Sequence, residues 1–366
     1  MVRGVRGDGY TGTGGAGNAV RDYTAEDDGN NPALEVSVVI CAYTEQRWKQ
    51  TRAAIQSVFD QRPGPAQVLL VVDHNPDLAA QARQELSRVT VLDSDGAPGL
   101  SGARNTGLRA ATQPITAFLD DDAEARPGWL ASLVRPYSDS SVVATGGSVY
   151  PRWPGLRPAW LPPTFDWVVG CSYLGLPDSV RPVRNPIGAN MSLRTSLALE
   201  VGGFDTSVGR VGSKPRGCEE TELAIRLTAS HPRSFVLYVP TAAVDHHVGK
   251  ERLRVSYFLQ RCWHEGLSKA TVVRRVGSSA GLERELRHVT VVIPVALLRD
   301  LRHFAAGEAN AFTRMVAAIV GLGATTAGYL TGRASQARRS WVRSGTVSPD
   351  ARQVRGRRSR TRFGGS

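Results

Sequence analysis

Phe118-Leu119-Asp120-Asp121-Asp122-Ala123 sets two apolar residues directly against three carboxylates. Just upstream, residues 115–119 read as a short buried strand, β-branched or aromatic and bounded by Pro114. The carboxylates therefore fall at the strand's carboxyl end, where open α/β sheets bind ligands. Three adjacent aspartates repel one another without a cation, and oxygen ligands suit a hard divalent ion such as Mg²⁺ or Mn²⁺. Alone, the stretch fits a solvated acidic turn ahead of a helix equally well. Its surroundings favour the ion.

Outward from the triplet, apolar strands at 36–42, 68–72 and 89–92 alternate with helical spacing at 48–60, 78–86 and 101–111. Four strands and three helices in about 85 residues predict a parallel sheet covered on both faces, the architecture of a nucleotide-binding half-sheet. After the triplet come a helix at 129–137, a strand at 142–150 interrupted by Gly146-Gly147, and a stretch rich in Pro and Trp at 151–185. A strand at 187–193, helices at 195–201 and 219–229, and strands at 235–239 and 243–247 follow. Beyond Leu253 the pattern is helical. One decoy is rejected: Gly12-Thr13-Gly14-Gly15-Ala16-Gly17 matches a dinucleotide pattern, but no strand precedes it and no apolar helix follows.

The chain of 366 residues carries a net charge of +12. From Arg333 to Ser366 there are ten arginines and one acid, so most of the excess lies in one tail suited to an anionic surface. Four scattered cysteines without a C-x-x-C pair argue against a zinc site or a disulfide framework and suggest a reducing compartment. No apolar segment follows Met1, so no secretory signal is expected. Two apolar runs, 289–298 and 315–330, are flanked by Arg299, Arg302, Arg314 and Arg333. The first contains Pro294, and the second is diluted by glycines and threonines below the ~20 apolar residues of a spanning helix. An interfacial helix pair on an anionic membrane is expected, with a helical subdomain packed on the core as the alternative.

Six motifs, in order, resemble a family 2 glycosyltransferase of the GT-A fold, of bacterial cell-envelope type. They are Val36-Ser37-Val38-Val39-Ile40-Cys41-Ala42-Tyr43, Val71-Val72-Asp73, Gly102-Ala103-Arg104-Asn105-Thr106-Gly107, the acidic triplet, Gly188-Ala189-Asn190-Met191-Ser192 with Val201-Gly202-Gly203-Phe204-Asp205, and Gly217-Cys218-Glu219-Glu220-Thr221-Glu222. Gln260-Arg261-Cys262-Trp263-His264-Glu265-Gly266-Leu267-Ser268 resembles a further family segment. The resemblance covers roughly residues 36 to 270. It implies a Rossmann-like nucleotide-binding sheet plus an acceptor-side mixed sheet, with a C-terminal helical extension. The expected units are a disordered segment 1–34, a catalytic domain 35–250 (nucleotide-sugar half 35–125, acceptor half 126–250), a membrane-associating helical region 251–332 and a disordered tail 333–366.

The resemblance also implies roles. Ala42, Tyr43, Glu45 and Asp73 would bind the nucleotide, with Asp73 accepting from a ring N–H of the base or serving only as a turn residue. Arg104 would face the phosphates or brace the triplet. Asp122, Asp120 and His246 would hold Mn²⁺ or Mg²⁺ beneath the donor's diphosphate, Asp120 and Asp121 also touching the nucleotide sugar. His246 is as readily a structural residue. Glu220 matches the general base, with Glu219 as runner-up; acidic residues in a helix's first turn also simply complement the macrodipole. The expected activity is inverting, metal-dependent transfer from a nucleotide sugar, a UDP-sugar first, to a lipid-linked or cell-envelope glycan, at the cytoplasmic face of the plasma membrane. Two other readings stand beside it: a nucleic-acid or anionic-surface binder using the tail, and a nucleotidyltransferase, for which no basic triphosphate loop follows the first strand.

Overall fold

A computed structural model describes residues 35–209 and 217–345. The segment 1–34, with its glycine decoy, and the tail beyond Gly345 lie outside the described residues. Four parallel strands form the first half of the sheet: β1 (Val36–Ala42), β2 (Gln67–Val72), β3 (Thr90–Asp93) and β4 (Ile115–Asp120), ordered β3-β2-β1-β4 in space. Helices α1 (Trp48–Phe59), α2 (Pro76–Glu85) and α3 (Leu100–Ala110) connect them. Side chains alternate between two cores: Val38, Ile40, Leu70 and Leu119 pack with Ile55, Val58 and Leu78 of α1 and α2. Val39, Leu69, Val71 and Phe118 pack with Ala103 and Leu108 of α3. Burial on both faces is why these strands read as unbroken apolar runs.

The second half is mixed. It comprises β5 (Ala123–Ala125), α4 (Trp129–Val134), β6 (Val142–Arg152), β7 (Arg181–Val183), β8 (Asn190–Arg194), α5 (Thr195–Glu200), α6 (Glu219–Ser230) and β9 (Phe235–His247). β8 inserts antiparallel between β4 and β6, and β9 runs parallel beside β6. The two strands expected at 235–239 and 243–247 are one strand, bent by a register shift between Gly147 and Val149 of its neighbour. A Cβ on Gly147 would overlap the Ala242 carbonyl, which accounts for glycine inside a strand. β5, which apolar patterning could not reveal in three residues, pairs Ala123 with His246 and so brings the histidine to the triplet. This parallel-then-mixed sheet is the expected GT-A arrangement.

The C-terminal part is helical: α7 (Val255–Val276), α8 (Ser278–Arg287), a π-type turn His288–Val292, α9 (Ile293–Ala305) and α10 (Ala309–Gly345). α10 extends past both ends of the apolar run 315–330, so the start of the expected disordered tail is helix. Over Ala309–Ser335 it is long and apolar enough to cross a membrane by length and composition, which corrects the expectation of too short a run. The glycines have a packing role instead. A Cβ on Gly266 would overlap the Thr325 carbonyl, and one on Gly328 the Trp263 carbonyl, so α7 and α10 meet backbone to backbone. Phe312, Val316, Ile319 and Val320 of α10 remain exposed. Gly266→Val is expected to lower stability by about 1–3 kcal/mol through overpacking. An unchanged denaturation midpoint would show that the crossing is looser than described.

Candidate active site

β4 ends in Asp120 and β9 ends in His246-His247, so pairing β9 to β5 gathers acids and an imidazole at one sheet edge. Asp122 Oδ1 lies 3.1 Å from His246 Nε2, and its Oδ2 lies 3.1 Å from Arg47 and 3.3 Å from Arg252. Arg47 also donates to Asp121 Oδ1 at 3.1 Å. Against burial, which favours the neutral acid, His246, Arg252 and Arg47 hold Asp122 well below the usual carboxylate range. Burial, and then the charge of Asp122, push Asp121 up to about 7. One ligand atom each from Asp120, Asp122 and His246 lie within 4.8 Å of one another. Two carboxylates and an imidazole suit a divalent first-row ion, and beside them Asp121 Oδ2 is buried without a hydrogen-bond partner among the described residues. The residues fit a metal.

Arg104 is fully buried and divides its guanidinium among Asp120 Oδ1 (3.1 Å), the Gly188 carbonyl (2.8 Å) and Glu219 Oε1 (2.9 Å). Of its two expected roles, the geometry carries the brace: it ties the triplet to the first turn of α6. Glu219 is thereby engaged through Oε1, while its Oε2 is buried without a hydrogen-bond partner among the described residues. Glu220 is half-buried, accepts from the Thr221 hydroxyl at 3.2 Å, and faces the cavity. Burial, and then the Glu219 carboxylate, push it up to about 7. Cys218, just ahead of α6, is held at φ 77, a left-handed conformation costly for a residue with a side chain.

The other motifs interlock around this pair. The Asn105 side chain grips the Phe204 backbone, accepting from its N–H and donating to its carbonyl, each at 2.7 Å. Phe204 then stacks edge-on against Phe118 of β4. Asn190 donates to the Ser148 and Ala242 carbonyls and accepts from the Trp129 indole. In the segment 260–268, Arg261 pairs with Glu265 at 2.8 Å, and Glu265 accepts from the Cys218 thiol, so α7 buttresses the start of α6.

A cavity of about 290 Å³ joins Asp120, Asp122 and His246 to Glu220. Ala42, Tyr43, Glu45 and Asp73 are not on its walls. They sit at the neighbouring strand ends, where the Asp73 N–H donates to the Ala42 carbonyl at 2.8 Å. The Asp73 carboxylate accepts from Gly99 N–H at 2.9 Å and thereby fixes the turn into α3. Glu45 is exposed, and it is Arg47, two residues on, that reaches the triplet. Arg47 and Arg252 were not picked out in the sequence: each is an ordinary arginine in a short 3-10 turn after a strand, and only folding aims it at Asp122.

A family model described as glycosyl transferase family 2 matches residues 37–201. A glucosyl-dolichyl phosphate glucuronosyltransferase of Haloferax volcanii is 32% identical over 240 residues, 64% of this chain and 76% of that protein. A pre-mycofactocin glycosyltransferase of Mycobacterium tuberculosis is 28% identical over 200 residues, 53% of this chain and 39% of that protein. Among solved structures, a mannosyltransferase from Pyrobaculum calidifontis in complex with GDP-Man and Mn²⁺ matches at 18% identity and a TM-score of 0.49, covering 86% of each chain. The chain belongs to glycosyltransferase family 2. It is a glycosyltransferase of the GT-A fold, which sets aside the readings as a nucleic-acid binder with an incidental triplet and as a nucleotidyltransferase.

Proposed function

We propose that this enzyme transfers a sugar, with inversion, from a nucleotide sugar, a UDP-sugar first, to a hydroxyl of a lipid-linked glycan at the cytoplasmic membrane face. The observation that carries the reading is the single cavity in which a metal-type triad and a carboxylate poised near neutrality face each other. Asp122, Asp120 and His246 would hold Mn²⁺ or Mg²⁺. When bound, the ion neutralises charge on the leaving diphosphate. Ala42, Tyr43 and Asp73 line the crevice for the base, with Glu45 at its rim and Asp121 backing the triplet. Glu220 accepts the proton of the acceptor hydroxyl as its oxygen attacks the anomeric carbon and the bond to the diphosphate oxygen breaks. Arg104 and Glu219 fix the distance between the two ends of this assembly.

Two observations support the acceptor class. The Haloferax relative's name describes a sugar carried on dolichyl phosphate. The exposed face of α9 and α10, with Val295, Leu298, Leu301, Phe304 and Phe312 beside Arg299 and Arg302, suits an anionic bilayer surface. The domain division follows the same reading, with residues 35–250 carrying the reacting groups and the helices beyond them both walling the cavity and facing the membrane.

Thermal unfolding with a panel of UDP-, GDP- and dTDP-sugars tests the donor. At a hundredfold excess over Kd, a true donor adds about 2.7 kcal/mol. The shift is expected only with a divalent ion, and Mn²⁺ is expected to exceed Mg²⁺ because one ligand is an imidazole. EDTA should erase it. No shift with any nucleotide sugar in the presence of Mn²⁺ would sink the donor reading. Transfer of label from the donor into organic-solvent-extractable glycolipid tests the acceptor.

A further inference from the structure

The far end of the cavity, away from the triplet, is walled by four cations: Arg184, Arg261, Lys269 and Arg284. Two carboxylates share three of them. Arg184 grips Glu285 through two bonds of 2.6 and 2.8 Å, Lys269 lies 2.7 Å from Glu285 and 3.4 Å from Glu265, and Arg261 takes the other oxygen of Glu265. Arg284 has no carboxylate partner among the described residues; it lies over the Tyr173 ring and makes a long contact of 3.4 Å to the Asn185 carbonyl. Among the described residues, and even with Glu220 counted as ionised, the cations at this end outnumber the acids. An excess of buried positive charge is costly unless an anion joins it.

The wall around these groups is apolar. Phe165, Trp167, Tyr173, Val289 and Ile293 complete it, and Val289 is itself partly exposed at the start of the apolar face formed by Val291, Val295 and Leu298. The π-type turn His288–Val292 is what presents both His288 and Val289 to the cavity. An anion bound here therefore has a greasy path from its site to the exposed helix face, and lies on the Glu220 side of the cavity.

We propose that Arg184, Arg261, Lys269 and Arg284 form a subsite for the phosphate of a lipid phosphate, its chain leaving past Val289 along α9. The inference rests on the lipid-linked acceptor proposed above and deepens it: the phosphate anchors the acceptor while the sugar it carries reaches Glu220. The helices beyond β9 would then supply acceptor specificity as well as a membrane surface.

Calorimetric titration of the full-length protein with farnesyl phosphate, farnesol and inorganic phosphate tests this. Farnesyl phosphate is expected to bind at least tenfold more tightly than either of the others, and Arg284→Gln and Lys269→Met each to weaken it at least tenfold. Lys269 also neutralises two carboxylates, so its variant is read beside Arg284→Gln, which removes no carboxylate's partner among the described residues; UDP binding with Mn²⁺ serves as the check on folding. Equal affinity for farnesol, equal affinity for inorganic phosphate, or an unchanged affinity in Arg284→Gln overturns the subsite. If any of these occurs while label still enters extractable glycolipid, only the subsite falls. If label enters water-soluble glycans alone, the acceptor reading falls and the subsite with it.

Discussion

Asp122→Asn is expected to abolish metal-dependent nucleotide binding and to lower kcat/KM by on the order of 10³-fold or more. The reason lies in how many groups converge on one carboxylate: His246 on one oxygen, Arg47 and Arg252 on the other. An amide keeps the shape and removes the charge, so the buried Arg252 loses its close counter-ion and Arg47 keeps only Asp121. Breaking such a pair from one side costs about 3–5 kcal/mol, so the variant should also be less stable. The pH dependence follows from the direction of the shift. Asp122 titrates lower in the folded chain than in the unfolded one. Its contribution is therefore complete above the unfolded value near 4, and is lost as pH falls toward the folded one. Asp122→Asn should flatten that part of the acid-stability curve. Calorimetry with UDP and Mn²⁺, together with urea melts at pH 3 to 7, measures both effects; intact Mn²⁺-dependent UDP binding in the variant would remove Asp122 from the metal site.

Glu220→Gln should separate chemistry from binding. Loss of a general base costs about 10²–10⁴-fold in kcat, while donor affinity should be unchanged because the triad is untouched. Since burial and Glu219 raise Glu220 to about 7, the carboxylate form grows in as pH rises. Thus kcat/KM of the native enzyme should climb below pH 7 and level off above it, and the glutamine variant should lose that limb. Stability runs the other way. A carboxylate whose folded value is raised is a liability once pH exceeds that value, so the variant should be no less stable than the native protein at pH 8. Glu220→Asp tests the reach of the base: shortening the side chain by one methylene withdraws the base by about an ångström, enough to cost on the order of 10²-fold. Normal turnover by Glu220→Gln would move the base to Glu219, whose tie to Arg104 would then need to open.

Much of this was legible in the chain because its signals are local. Val36–Ala42 and Ile115–Asp120 read correctly as buried strands, since burial on both faces demands continuous apolar residues whatever the partner. The candidate metal residues were legible as two separate motifs, an acidic strand end and a histidine after a strand. Their meeting was not, because it depends on β5, three residues long and without pattern of its own. The roles of glycine were harder still. Gly328 lowers the hydropathy of its run and so argues against membrane character by composition, yet folded it forms, with Gly266, the contact of α7 with α10.

Sequence by itself determined the order of elements, the family and the residue types offered at each strand end, because backbone periodicity and short motifs are properties of neighbours along the chain. Only the tertiary structure decided which charges belong to which site. Arg104 could face a phosphate or a carboxylate from its place in α3; folding surrounds it with Asp120, Glu219 and the Gly188 carbonyl. Arg47, Arg252, Arg184 and Lys269 are unremarkable as letters, and become a triplet clamp and a cationic cavity wall once distant segments meet. Coulomb energy depends on separation in space and on exclusion of water, and neither is written in the spacing of residues.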